Sequence, residues 1–261
     1  MALPFSVPSS LPRAFSMSHS TVADVDAVTE VYYDAFRTDP GNTFWWPPEK
    51  DAMVAWMKHR VLRKMGDRSV RHFKVTDTQS GDLVAFTRWD IPEGYATAFG
   101  RWIGDDAATV DVSRIITESD SAQQGRGNLP ITNAPVEAVM PPTADYPQGA
   151  RPELCQGFFD ALNHMSEKQN AKSMLGLSLL CTSPKYHRRG AAKALMLPML
   201  ALADTHGLKV YLEATPNGKP VYEKLGFQEV DWLAFDLKKL TGRLEGMYRL
   251  SIMVREPKSV R

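Results

Sequence analysis

A short basic turn is the part of the sequence with the clearest chemical potential. It reads Ser183-Pro184-Lys185-Tyr186-His187-Arg188-Arg189-Gly190-Ala191-Ala192. The first turn of a helix leaves backbone N–H groups unpaired and carries partial positive charge, so it can bind a pyrophosphate. Gly190 and Ala192 keep bulky side chains away from such a ligand, and Arg188 and Arg189 add cationic donors suited to phosphate. The turn therefore predicts a phosphate-binding helix start.

The flanking segments would hold this turn at one end of a sheet. Residues 175–182 are mostly apolar and predict a strand, and residues 190–206 predict a helix that ends at Gly207. Residues 208–214 predict a second strand. A strand, a helix and a strand in this order form a β-α-β unit, so we expect the two strands to be parallel.

A second pattern follows about thirty residues after the turn. It reads Tyr222-Glu223-Lys224-Leu225-Gly226-Phe227 and is preceded by Leu212-Glu213-Ala214-Thr215-Pro216-Asn217-Gly218. This arrangement predicts a strand followed by a short helix that carries a tyrosine. Two weak patterns in a fixed order and spacing are jointly more specific than either alone.

The two patterns resemble the hallmarks of the GNAT superfamily of N-acetyltransferases over residues 175–230. The family's acetyl-CoA signature is Gln or Arg, two residues, Gly, one residue, then Gly or Ala, and His187 stands here at the first position. The resemblance implies an α/β fold with a mixed, mostly antiparallel sheet, helices on both faces and a splayed parallel strand pair that binds acetyl-CoA. It implies no metal.

The resemblance also implies residue roles. An amine would attack the acetyl thioester directly, without a covalent acyl-enzyme. Tyr222 would act as general acid toward the departing thiolate, although a tyrosine on a short helix is often only a core residue. Glu213 would act as general base, or it would pair with a neighbouring Lys or Arg. The expected acetyl-CoA-binding residues are Leu180, Cys181, Thr182, His187, Arg188, Arg189, Gly190, Ala191, Ala192 and Lys193.

The position of the acceptor pocket is less defined by the sequence. Phe44, Trp45 and Trp46 follow the first predicted helix, where the resemblance places the start of the acceptor pocket, and Trp89 is a candidate for one wall. These aromatic residues can equally be core. Cys181 lies on an apolar strand without a partner histidine at a recognisable spacing, so we expect packing rather than nucleophilic catalysis.

The other predicted elements are consistent with one domain over residues 1–261. Helices are predicted at 24–36, 49–65 and 153–169, a hairpin at 71–76 and 83–89, and a C-terminal strand with one buried face at 248–255. Residues 104–151 are rich in Pro, Gly and Ser and predict a loop insertion, either a lid or a solvated loop.

Composition narrows the class of partner. The 261 residues include 31 Lys and Arg against 30 Asp and Glu, a formal net charge of +1, so no global field favours nucleic acid or an anionic membrane. Two cysteines and the absence of a signal-like segment suggest a cytoplasmic protein. We expect a small-molecule amine as acceptor and a monomer or homodimer.

Three alternatives stay open at this point. The acceptor could be a protein lysine or N-terminus. The chain could be a CoA-binding module without catalysis. The turn could also bind another phosphate-bearing ligand, although neither a P-loop Gly-Lys-Ser nor a dinucleotide Gly-x-Gly-x-x-Gly is present.

Overall fold

The fold is taken from a computed structural model that describes residues 2–102, 104 and 146–259. Most of the predicted insertion at 104–151 lies outside the described residues. Among the described residues, no helix has the length and apolar character needed to cross a membrane.

Seven strands form one mixed sheet. They are β1 Phe15–His19, β2 Val70–Asp77, β3 Leu83–Asp90, β4 Leu175–Thr182, β5 Val210–Ala214, β6 Gln228–Asp236 and β7 Met247–Arg255. Their order across the sheet is β1-β2-β3-β4-β5-β7-β6. Only β4 and β5 are parallel neighbours, and every other pairing is antiparallel. This confirms the predicted mostly antiparallel sheet with one parallel pair.

Helices cover both faces of the sheet. They are α1 Val25–Phe36, α2 Pro40–Thr43, α3 Lys50–Met65, α4 Pro152–Lys168, α5 Ala191–Thr205, α6 Lys219–Glu223 and α7 Leu237–Thr241. Buried residues of α1, α3 and α4 share one core cluster, whereas those of α5 pack in another cluster against the central strands. The predicted helices and hairpin are therefore present, with ends that differ by one or two residues.

Two strands were not predicted, and a third differs from its prediction. The two strands that were not predicted, β1 and β6, lie at the edges of the sheet. Val230 and Trp232 of β6 are apolar but exposed, so the hydrophobic pattern of this strand does not show which of its faces is buried. Strand β7 lies between β5 and β6 and is buried on both faces from Leu250 onward. The expectation of a single buried face is therefore wrong, because the sequence alternation does not reveal a central position.

The two parallel strands part soon after they begin. Their register is Leu175 with Val210, Gly176 with Tyr211 and Leu177 with Leu212, and the pairing then stops. Strand β4 nevertheless continues to Thr182 along β3, with a bulge at Ser178. The edge of β4 that faces β5 is thus unpaired beyond Leu177, which confirms the expected splayed pair.

Candidate active site

The basic turn joins β4 to α5 through a left-handed backbone. Gly190 caps α5 with φ +87°, and Arg188 has φ +64°, which is uncommon for a residue with a side chain. A Cβ atom at Gly190 would meet no protein atom within 4 Å. Within the protein, the glycine is therefore needed for its backbone conformation rather than for space.

Side chains of the turn tie it to the strands beside it. His187 Nε2 donates to the carbonyl of Thr182 at 3.1 Å, which fixes the turn on the end of β4. Lys185 and the hydroxyl of Tyr186 both bind Asp82 in the β2–β3 hairpin, at 2.7 and 2.8 Å. The helix start is consequently held in place before any ligand binds.

The cations of this region remain available for a ligand. Arg188, Arg189 and Lys193 are exposed, and no carboxylate of the described residues pairs with them. The Arg189 guanidinium lies over the Tyr186 ring at 5.1 Å. An anion at the start of α5 would thus meet backbone N–H groups and exposed cationic side chains together.

The unpaired stretch of β4 runs into this turn. Leu180 and Thr182 are half-buried and pack toward α5, whereas Cys181 is buried on the other face in the cluster formed with α1 and α3. Burial raises the pKa of the Cys181 thiol, which keeps it protonated. This position suits packing and not nucleophilic attack.

Tyr222 lies in the short helix α6, close enough to Cys181 of β4 for the two side chains to interact electrostatically. It is 9% exposed, and its ring meets Phe227 edge-on at 5.8 Å between centroids. Burial raises the pKa of the phenol well above its usual range, and the nearby Cys181 adds to this. No hydrogen bond of the Tyr222 hydroxyl is found among the described residues, so this protonated group is free to donate to a ligand.

Glu213 is the residue that follows the last parallel pair on β5. Burial raises the pKa of its carboxyl to about 7; the Asp90 charge adds to this, while Tyr211 and Arg88 partly oppose it. In the described part of the chain no Lys or Arg forms an ion pair with it. A carboxylate that titrates near neutral pH is suited to accept a proton from an ammonium group.

Glu213 lines a cavity of about 410 Å³ at the point where the strands part. The cavity also includes Leu177 and Ser178 of β4 and Asp90 of β3. Lys64 and Lys172 stand at the same cavity. This space lies on the sheet face opposite α5, so a ligand here and one at the turn would approach the gap from different sides.

The aromatic residues expected in the acceptor pocket are divided between two places. Phe44, Trp45 and Trp46 line a second cavity of about 370 Å³, together with Arg243 and Leu244 from the α7–β7 connection. Trp89 is fully buried in the cluster that contains α5 and lines neither cavity. The structure therefore does not bring Trp89 together with the other three.

Sequence reasoning missed the polar residues around Glu213. Arg88 is 9% exposed, and its Nε donates to the Ser178 Oγ at 2.9 Å. Its backbone carbonyl accepts from the same hydroxyl at 3.2 Å. The signal was an arginine inside an apolar strand, because charged residues are seldom buried unless they have a structural or ligand partner. The bulge at Ser178 has no signature in the sequence.

Comparisons with known proteins agree with this geometry. Residues 164–234 match the family model of the acetyltransferase (GNAT) domain, and this segment contains β4, the turn, α5, β5 and α6. No curated protein matches the chain. The family match thus falls on the elements that surround the gap.

Solved structures share the whole fold at low sequence identity. One is a Corynebacterium glutamicum protein described as histone acetyltransferase HPA2 and related acetyltransferase, with 17% identity and a TM-score of 0.53 over 95% of this chain and 98% of that chain. Another is the Drosophila melanogaster polyamine N-acetyltransferase, with 12% identity and a TM-score of 0.53 over 93% of this chain and 99% of that chain. Residues 164–234 are thus similar to the acetyltransferase (GNAT) domain, and the chain shares the fold of these two structures.

Proposed function

We propose that the protein is an N-acetyltransferase that transfers an acetyl group from acetyl-CoA to the primary amine of a small molecule. The observation that carries the proposal is the parting of β4 and β5 beyond Leu177 and Leu212, with Glu213 and Tyr222 beside the gap. Strands that part in this way leave one backbone edge for a ligand and a space between them for a reaction.

The residues present fit acetyl-CoA. The free edge of Leu180 and Thr182 offers backbone N–H and C=O groups to the amide-containing arm. The start of α5 offers N–H groups to the pyrophosphate, and Arg188, Arg189 and Lys193 stand near enough in sequence to reach phosphate oxygens. Acetyl-CoA supplies an activated acetyl thioester, whose acyl carbon accepts the amine and whose thiolate leaves.

Glu213 prepares the amine in this proposal. Its carboxylate takes a proton from the acceptor ammonium, which exposes the nitrogen lone pair for attack. The C–N bond forms as the C–S bond breaks, and Tyr222 donates its phenolic proton to the leaving sulfur. The nitrogen loses one of its two protons to solvent and keeps the other as the amide N–H. Glu213 releases its proton to solvent and Tyr222 regains one, so each turnover of an ammonium substrate releases one net proton and restores both side chains.

Cavity size favours a small acceptor. A volume of about 410 Å³ is within the range of small-molecule sites, and Glu213 is among the residues that line this cavity. The described relatives include both a polyamine enzyme and a protein described as histone acetyltransferase-related, so the shared fold does not select the acceptor. A protein lysine or N-terminus is therefore kept as the second arm of the experiment.

The experiment begins with binding. Acetyl-CoA is titrated into the protein by calorimetry, with NADH and ATP as controls, and thiol release is then followed with a panel of small amines and a panel of lysine and N-terminal peptides. We expect micromolar binding of acetyl-CoA alone and turnover with small amines. Turnover confined to peptides would overturn the acceptor class. Binding without any turnover would favour a CoA-binding module, and no binding would refute the proposal.

A further inference from the structure

Gly176 in strand β4 is a glycine that its own surroundings do not require. Its φ is not in the left-handed region, so a residue with a side chain can adopt the same backbone. A Cβ atom placed there would meet Asp90 as its nearest neighbour, at 3.5 to 3.8 Å, which is ordinary van der Waals contact. Glycine weakens a strand, and within one it often marks a place where a ligand approaches the backbone closely. Gly176 therefore leaves room that a side chain could fill.

Strand pairing places Gly176 between Asp90 and Tyr211. Asp90 of β3 pairs with Gly176 on one side, and Tyr211 of β5 pairs with it on the other. Leu175 and Leu177 belong to the cluster that packs against α5, so Gly176 and its two partners face the opposite side of the sheet. All three partners line the cavity of about 410 Å³. The missing side chain leaves a groove across β4, with Asp90 and Tyr211 as its walls.

The groove connects the mouth of the cavity with the gap between β4 and β5. The mouth includes Ser69, which precedes β2, and Lys172, which precedes β4; both are exposed and lie at the end of the sheet where Gly176 is found. Glu213 is two residues beyond Tyr211 on β5, so it lines the same face one step further along the strand. An amine that enters at the mouth therefore passes Gly176 on its way to Glu213.

Two carboxylates and several apolar side chains line this cavity. The carboxylates belong to Asp90 and Glu213. Of the two cations, Lys64 is already held by Asp67 at 3.2 Å and stands 3.9 Å from Asp90. Lys172 is exposed at the mouth. The apolar lining residues include Ile91, Pro92, Leu162 and Met174. An ammonium group on a hydrocarbon chain fits such a lining, because the carboxylates attract the ammonium and the apolar residues cover the chain.

We propose that Gly176 is a specificity-determining residue that admits a primary amine on an unbranched chain. The chain lies between Asp90 and Tyr211 while its nitrogen reaches Glu213. This inference rests on the proposed acetyltransferase function and adds the shape of the acceptor. Neighbouring strands are about 4.8 Å apart, so a groove as wide as one absent side chain holds one methylene chain. A methyl branch on that chain would meet the walls of the groove.

Isomeric amines test this shape with the wild-type protein alone. Pairs such as n-butylamine and isobutylamine have the same composition, and only the second carries a methyl branch on its chain. Thiol release is measured with each amine, and the rate of its uncatalysed reaction with acetyl-CoA is used to correct for intrinsic reactivity. We expect the corrected kcat/KM of the unbranched isomer to be at least about tenfold higher, because a misplaced methyl group costs about this much in a shaped pocket.

A side chain added at Gly176 should block the acceptor and spare acetyl-CoA. Gly176→Ala should lower kcat/KM for the best unbranched amine about tenfold and Gly176→Val at least about 100-fold, with the dissociation constant of acetyl-CoA within about twofold of the wild type. Gly157→Ala and Gly157→Val are the matched controls, because Gly157 in α4 lines neither cavity described above and has open space for a Cβ atom. They should leave kcat/KM unchanged.

The outcomes are distinct. If branched and unbranched isomers react equally well after correction, or if Gly176→Val keeps the wild-type kcat/KM, the unbranched-chain inference is overturned and the acetyltransferase proposal stands. If acetyl-CoA binds and no amine is acetylated, both are overturned. Should Gly176→Val fail to fold, Gly176→Ala decides instead. Its denaturation midpoint should be no lower than that of the wild type, because alanine fits the site and glycine weakens a strand. A clear loss of stability would show that the fold itself needs the glycine, which would also overturn the inference.

Discussion

Leu177 and Leu212 form the last pair between the two parallel strands. The residue after each of them carries a polar side chain, Ser178 on β4 and Glu213 on β5, and both line the cavity at the gap. The chemistry proposed for this chain depends on that one transition from paired to unpaired backbone.

Gly190→Ala should weaken acetyl-CoA binding without removing the fold. The left-handed φ of +87° is strained for alanine by about 1 to 2 kcal/mol, although the protein leaves space for the Cβ atom. We expect acetyl-CoA affinity, measured by calorimetry, to fall about tenfold as the start of α5 shifts. The matched control is Gly207→Ala at the other end of α5, where φ is +63° and space is also open. Equal losses of affinity in both variants would refute a special role of the turn.

Tyr222→Phe should slow turnover and spare binding. Removing the phenolic proton donor is expected to lower kcat about 100-fold, as for other general acids, with the dissociation constant of acetyl-CoA unchanged. Tyr248→Phe is the control, since Tyr248 is also a buried tyrosine whose phenol pKa is raised by burial. Unchanged kcat for Tyr222→Phe over the full pH range would show that Tyr222 is only a core residue.

The activity should depend on the ionisation of Glu213. A base is active when deprotonated, and the pKa of Glu213 is about 7, so kcat/KM should fall about tenfold per pH unit below that value. Glu213→Gln should remove this titration and lower kcat/KM at pH 8 about 100-fold. Glu229→Gln serves as the control, because Glu229 pairs with Lys219 and Arg249 away from the gap. An acidic limb that persists in Glu213→Gln would assign it to another group.

Glu213 should also make stability depend on pH. Its pKa in the folded protein is raised from 4.5 to about 7, so the folded state prefers the protonated form. The stabilisation is complete below about 4.5 and is lost as the pH rises through 7. At pH 8 Glu213→Gln should therefore unfold at a higher denaturant concentration than the wild type, with a gain of up to about 3 kcal/mol in the free energy of unfolding. At pH 4.5 the difference should be small, and a destabilised variant at pH 8 would contradict the burial of a charged carboxylate.

Most helices and strands could be predicted because the spacing of apolar residues in the sequence matches the period of a helix or a strand. The strand at Leu175–Thr182 was predicted with its observed bounds, and the β-α-β unit around α5 followed from it. Strand β1 was missed because its alternating pattern is short. Phe15 and Met17 are the two apolar residues of this five-residue strand. Strand β6 was missed because its outward face is apolar and its inward face includes Glu229 and Asp231. Edge strands need one partner only, so their sequences are less constrained.

Features of the site that lie within one short segment could be predicted from the sequence. Contacts that depend on the register between strands could not. The turn at Gly190 follows from the local sequence, whereas the roles expected for Glu213 and Tyr222 come from the resemblance to the GNAT superfamily. The meeting of Arg88 with Ser178 joins residues ninety positions apart and requires the bulge in β4. Trp89 was expected in the acceptor pocket as one aromatic wall, but strand alternation turns its side chain toward α5.

Direct transfer from acetyl-CoA to an amine in the gap is tested by the initial rate of acetyl transfer, measured with both substrate concentrations varied. The amine is taken from the panel described above, and thiol release is compared with N-acetyl product formed. We expect equal amounts of both products and double-reciprocal lines that intersect, since both substrates must occupy the gap together. Parallel lines with an acetylated protein detected by mass spectrometry, or no transfer to any amine, would contradict it.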